Sequence, residues 1–133
     1  ERNALLRLLS EVEWVYVAKS EGRYEYPWGN QVPECDRAHL FNCAETQTPQ
    51  AACALSGGVG AFPETCDMVG NVREWVADAY QDSYIDAPDD QRAVAFTTDV
   101  CAEGAVITES QTLFGVTKGG DIGSSVVSAR RCP

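Results

Sequence analysis

The sequence is poor in histidine and in positive charge: His39 stands alone, and 10 Lys and Arg face 20 Asp and Glu, for a formal charge of −10. So few cations argue against a nucleic-acid backbone or an anionic membrane surface as partner, and favour cations, basic partners or plain solubility. One histidine gives any catalytic triad a single possible base. The cysteines never approach closer than eight residues, so the paired Cys-x-x-Cys spacing of a zinc site is missing as well. No apolar run approaches the roughly 18 residues that span a bilayer, and the start Glu1-Arg2-Asn3-Ala4-Leu5-Leu6 does not read as a signal peptide. Gly57-Gly58-Val59-Gly60 lacks the Lys and the following helix of a phosphate loop. Ser56-Gly57-Gly58 lacks the strand–nucleophile–helix setting of a hydrolase elbow.

What the chain has instead is cysteine: six, at positions 35, 43, 53, 66, 101 and 132. An even count without metal spacing reads as a disulfide framework, which places the protein in a secreted, extracellular or periplasmic setting, with any export signal removed or lying upstream. Fifteen pairings are possible. The least entangled joins Cys35 to Cys43, Cys53 to Cys66 and Cys101 to Cys132. With 133 residues, 44% of them apolar, the chain is expected to be a single domain spanning 1–133.

Ser10-x-x-Glu13 is a capping box, so a helix is expected from about Glu11 to Lys19, with Leu9 as its hydrophobic staple, Val12, Val15 and Tyr16 on its apolar face and Gly22 as its stop. From Glu21 to Cys66, Gly, Pro, Asn, Gln and Thr recur, and little regular structure is expected beyond what the cysteines staple. Gln81 to Gln91 is acidic and holds Pro88, which reads as a solvated loop. Ala93–Phe96, Ala105–Ile107 and Leu113–Thr117 read as short strands. The order helix, irregular cross-linked middle, short strands is α+β with low regular content.

Cys66-Asp67-Met68-Val69-Gly70-Asn71-Val72-Arg73-Glu74-Trp75 carries the most chemistry. Asp67 and Glu74 lie seven residues apart about a Gly70-Asn71 turn, which can aim carbonyl oxygens inward. Two carboxylates and two or three carbonyls approach the six or more oxygens that Ca²⁺ takes. The competing reading is an Asp-capped turn, without metal, leading into a buried Trp75.

With Arg7-Leu8-Leu9-Ser10-Glu11-Val12-Glu13-Trp14, Tyr26-Pro27-Trp28-Gly29-Asn30 and Phe62-Pro63 before it and Lys118-Gly119-Gly120 after it, this stretch resembles the formylglycine-generating-enzyme family, also called the sulfatase-modifying-factor domain. The resemblance implies a C-type-lectin-like fold of that type, a strong statement about fold and a weak one about function. It implies a calcium site of Asp67, the carbonyls of Gly70 and Val72, and Glu74. It also implies that the run around Glu74 and Trp75 is extended, although Val72, Trp75, Val76, Ala79 and Tyr80 repeat at helical spacing. A second family site has only Asn42 and Cys43 for its first half and no carboxylate within Ala51–Gly60, so it is not expected.

Catalytic members hold copper with two cysteines four residues apart after the Gly-Gly motif. Here only Cys132 follows Gly119-Gly120, and serine hydroxyls do not replace thiolates on soft Cu(I). The iron-binding branch needs histidines beyond His39. Arg73 stands where the family has Trp, and Asp121-Ile122 where Ser-Trp or Ser-Tyr is common. Family domains also carry roughly 100 residues before the helix, so the resemblance covers a partial or reduced domain. The expectation is a non-catalytic, calcium-stabilised extracellular binding or structural module, with Tyr24, Tyr26, Trp28 and Tyr84 as contact residues. The alternative is a copper-dependent oxidase converting cysteine to formylglycine in sulfatases, or an auxiliary subunit of one. The Leu-rich arm (Leu5, Leu6, Leu8, Leu9) and unpaired strand edges point to a protein partner or self-association. Direct sugar binding is not expected, because no Glu-Pro-Asn-like segment is present.

Overall fold

The computed structural model describes residues 6–41, 43, 48–62, 65–81, 83–85, 87–94 and 115–122. Among them the elements are helix α1 (Glu11–Ala18), a single 3₁₀ turn (Ser56–Gly58), strand β1 (Glu74–Ala79) and strand β2 (Gly115–Lys118). The architecture is α+β with low regular content. Asn42, Phe96, Ala105–Ile107, Cys101 and Cys132 lie outside the described residues, and with them most of two expected strands and the third disulfide.

Helix α1 starts where the capping box puts it. The Ser10 hydroxyl accepts from the Glu13 amide, and the Glu13 carboxylate accepts from the Ser10 amide at 2.9 Å. Arg7 grips the same carboxylate at 2.6 and 2.7 Å, and this bond, more than the Ser10 amide, pulls the Glu13 carboxyl down to about 2. The helix ends at Ala18, where Ser20, Glu21 and Gly22 in turn take positive φ and the Glu21 amide donates back to the Tyr16 carbonyl at 2.8 Å.

The buried face of α1 differs from the expected one. Trp14 and Ala18, one turn apart, enter the core, while Val12 and Tyr16 are about half exposed. Trp14 and Ala18 pack with Met68 and Val76, flanked by Val15, Val17 and Val116. A second cluster holds Tyr26, Ala38, Leu40 and Val69, with Trp28 and Cys43 against it. Met68 and Val69 are neighbours in sequence and belong to different clusters, so this dipeptide joins the two cores. Burial of a side chain such as Met68 contributes about 1.5–3 kcal/mol.

The run around Glu74 is extended, not helical. Strand β1 pairs antiparallel with β2, Glu74 opposite Lys118, Trp75 opposite Thr117 and Ala79 opposite Gly115, with an irregularity between. Val76 and Asp78 face inward, and Trp75, buried in the competing metal-free reading, is 62% exposed. Tyr26 is corrected in the opposite sense. Expected as a surface contact, it is 2% exposed and stacks on Trp28 at 5.6 Å, because mutual backbone bonds between Tyr26 and Gly29 fold the Tyr-Pro-Trp-Gly turn inward. Tyr24 and Tyr84 are exposed, as expected. Disulfides Cys35–Cys43 and Cys53–Cys66 form as the chain order suggested. Among the described residues no helix is long and apolar enough to cross a membrane.

Candidate metal centre

The turn between Asp67 and Glu74 is held by groups far from it in sequence. The Gly70 amide donates to the Gly119 carbonyl at 2.8 Å, the Asn71 amide to the His39 carbonyl at 2.8 Å, and the Ile122 amide to the Asn71 carbonyl at 3.2 Å. The buried Asn71 side chain clasps the Gln50 backbone, accepting from its amide at 2.9 Å and donating to its carbonyl at 3.2 Å. Gly70 has φ +84, and a Cβ there would meet the His39 carbonyl oxygen at 2.6 Å. Only glycine permits that approach. His39, the lone histidine, is itself buried, its Nε2 at 3.1 Å from the Thr48 carbonyl oxygen.

Glu74 opens β1 with its carboxylate turned toward the core, where it accepts the Trp14 indole N–H at 2.5 Å. Burial pushes its carboxyl above the usual carboxylate range. The indole bond pulls part of the way back, and the neighbouring Asp67 charge adds to the upward push. Asp67, at φ +56, accepts the Cys53 amide on Oδ2 at 2.7 Å. Its carboxylate lies within 4.8 Å of the Cys53 and Cys66 sulfurs, which are bonded to each other and are therefore not metal ligands.

Asp67 thus lies near enough for its charge to raise the Glu74 carboxyl, and Gly70 and Val72 fall between the two in the chain. Among the described residues neither the Gly70 nor the Val72 carbonyl accepts a hydrogen bond. Carboxylate and carbonyl oxygens are the donor types that a hard cation takes. Among the described residues no free cysteine is available to copper. Cys35, Cys43, Cys53 and Cys66 are all in disulfides, so none of them offers the thiolate that Cu(I) requires.

Three further groups escaped the sequence reading. Lys118, buried in β2, pairs with Glu11 at the start of α1. Glu11 Oε1 also accepts the Tyr84 hydroxyl at 2.7 Å. Asp78, buried in β1, accepts the Glu11 amide at 2.5 Å and the Val94 amide at 2.9 Å, so a carboxylate sits at the positive end of α1. The alternation Glu74, Val76, Asp78 was the one available signal, since inward residues recur every second position along a strand. Finally, the two departures from the resembled pattern meet: Arg73 Nε and Asp121 Oδ2 pair at 2.8 Å. They line a shallow groove of about 500 Å³ with Pro49, Asn71, Val72 and Ile122.

Comparison with known proteins agrees with this fold. No curated protein matches the chain. Among solved structures, PvdO from Pseudomonas aeruginosa matches with a TM-score of 0.62 at 24% identity, covering 93% of this chain and 44% of that one. The chain therefore spans less than half the length of that structure, and the likeness speaks to fold alone. The family model described as the sulfatase-modifying factor enzyme 1-like domain matches residues 2–132, so the chain belongs to that family.

Proposed function

We propose that this chain is a non-catalytic, calcium-stabilised binding or structural module of the family fold that works outside the cytoplasm. The observation that carries the reading is Glu74: a half-buried carboxylate whose charged neighbour, Asp67, has its own sign. Ca²⁺ held by Asp67, Glu74 and the carbonyls of Gly70 and Val72 would neutralise both carboxylates and fix the turn that joins the two cores. Bound there, the ion supplies charge and rigidity, not reaction chemistry. The disulfides support an oxidising compartment. Exposed Leu6, Leu8, Leu9 and Val12 around the start of α1 support a partner chain or a second copy over that surface.

Two measurements test the reading. Calcium should raise the melting temperature of metal-stripped protein and EDTA should reverse the gain, because a ligand that binds only the folded state stabilises it by mass action. Identical melting curves with and without calcium would reject the metal. The same protein, supplied with copper and oxygen, should leave a cysteine-containing sulfatase peptide unchanged. Conversion of that cysteine to formylglycine would instead establish the oxidase.

A further inference from the structure

We propose that the Cys53–Cys66 disulfide sets how tightly this chain holds calcium, so that reducing the bond weakens the site; the inference rests on the calcium reading above. The geometry is local and direct. Cys66 precedes Asp67 in the chain, and Cys53 donates its amide to Asp67 Oδ2 at 2.7 Å. The two sulfurs and an Asp67 carboxylate oxygen all lie within 4.8 Å of one another. One covalent bond therefore fixes both the backbone that carries the ligand and the donor that orients it.

Both ends of this arrangement lie in the left-handed region, Cys53 at φ +59 and Asp67 at φ +56, which non-glycine residues adopt only when the surroundings impose it. With the cross-link cut, the 53–66 segment can relax both residues, and the Cys53 amide no longer stays under Asp67. The bond is also within reach of solvent, since Cys53 is exposed and Cys66 half-buried. Cys35–Cys43 is the natural contrast. Cys43 packs beside the second core cluster, and neither cysteine is hydrogen-bonded to a proposed ligand.

The switching step is a thiol–disulfide exchange. A small dithiol gives two electrons and two protons to the Cys53–Cys66 bond; the S–S bond breaks to two thiols, and the dithiol closes to its own disulfide. Loss of a group that orients a metal ligand weakens metal binding by about 10- to 100-fold. Because linkage is reciprocal, calcium must favour the closed disulfide by the same factor.

The experiment uses the whole chain. Calcium titrations by calorimetry compare the oxidised parent, the Cys53→Ser/Cys66→Ser variant and the Cys35→Ser/Cys43→Ser variant. The first pair should weaken binding by about 10- to 100-fold and the second should leave it within about twofold. In parallel, the parent is equilibrated in dithiothreitol redox buffers with calcium or with EDTA, and the closed fraction of Cys53–Cys66 is read by thiol alkylation and peptide mapping. That arm needs no variant to fold, and the dithiol-to-disulfide ratio should shift by the same factor. Equal calcium affinity in the parent and the Cys53/Cys66 variant, equal losses in both variants, or an unchanged redox equilibrium would each overturn the coupling while leaving calcium binding intact. A parent that binds no calcium would overturn the calcium reading, and the coupling with it.

Discussion

Replacing Glu74 with Gln should change stability in opposite directions depending on whether calcium is present. The amide keeps an oxygen for the Trp14 indole N–H, which the carboxylate accepts at 2.5 Å, and it removes one negative charge. In chelator that charge is a burden, because it is partly desolvated and faces Asp67. Glu74→Gln in EDTA should therefore be as stable as the parent or more so. In calcium the order reverses. At free Ca²⁺ about 100 times the Kd, the parent gains about 2.7 kcal/mol by mass action. A chain of 133 residues lies between the size classes in which each kcal/mol moves the midpoint by about 2–4 °C and about 4–8 °C, so the parent should melt roughly 10 °C higher with calcium than without. The variant, with a neutral and weaker ligand, should gain a small part of that.

The assay is thermal unfolding followed by circular dichroism, parent and variant, in calcium and in EDTA, with Asp67→Asn as the second corner of a double-mutant cycle. The metal-free turn predicts another pattern: a loss of about 1 kcal/mol or less from the altered hydrogen bond, equal in both buffers. A Glu74→Gln effect of the same sign and size with and without calcium would refute the reasoning.

Gly70→Ala should cost roughly 2–4 kcal/mol in urea unfolding, since it adds a Cβ at 2.6 Å from the His39 carbonyl oxygen at a φ of +84; a cost below about 0.5 kcal/mol would mean that the turn is looser than described. Removing Arg73 and Asp121 singly and together should give a coupling energy of about 0.2–1 kcal/mol, because Arg73 is exposed and Asp121 partly so, and that coupling should fade in 1 M salt; a coupling above about 2 kcal/mol would contradict a solvent-screened pair. Glu13 has its carboxyl at about 2 against an ordinary 4.5, so its contribution is complete above the unfolded value and is lost as pH falls through the folded one. The difference in urea midpoint between the parent and Glu13→Gln should accordingly be flat above about pH 5 and close between about 4.5 and 2; a difference independent of pH over that window would contradict the Arg7 pairing.

What could be read from the sequence was mostly local. The capping box at Ser10 and Glu13 involves four consecutive residues, and the two described disulfides join cysteines 8 and 13 apart. The buried face of α1 was not legible, because Val12, Trp14, Val15, Tyr16, Val17 and Ala18 surround an eight-residue helix with apolar side chains on most sides. Its orientation is set from outside: Met68 and Val76 need a large apolar partner, and the Trp14 indole N–H finds an acceptor in Glu74, 60 residues away. The same holds for Lys118 and Glu11, whose pairing depends on β2 lying beside the start of α1. Helical spacing through Val72, Trp75, Val76 and Ala79 failed for another reason. The segment is bound edge to edge with β2, and ladder pairing overrides a short apolar period.

The carboxylates of the fold, compared with one another, give the reason for proposing the Asp67–Glu74 pair. Glu11 has Lys118 and the Tyr84 hydroxyl; Asp78 has two backbone amides at the positive end of α1; Glu13 has Arg7 and the Ser10 amide. Each is compensated, as buried or capping carboxylates must be if they are to stabilise a fold. Glu74 receives one indole N–H and has the Asp67 carboxylate as its charged neighbour, on a turn whose Gly70 and Asn71 are hydrogen-bonded to Gly119, His39 and Gln50. Two neighbouring carboxylates with one N–H donor each and no cationic partner among the described residues cost stability unless something positive joins them. On the calcium reading a small, hard, divalent ion supplies that charge, taking carboxylate and carbonyl oxygens as its ligands.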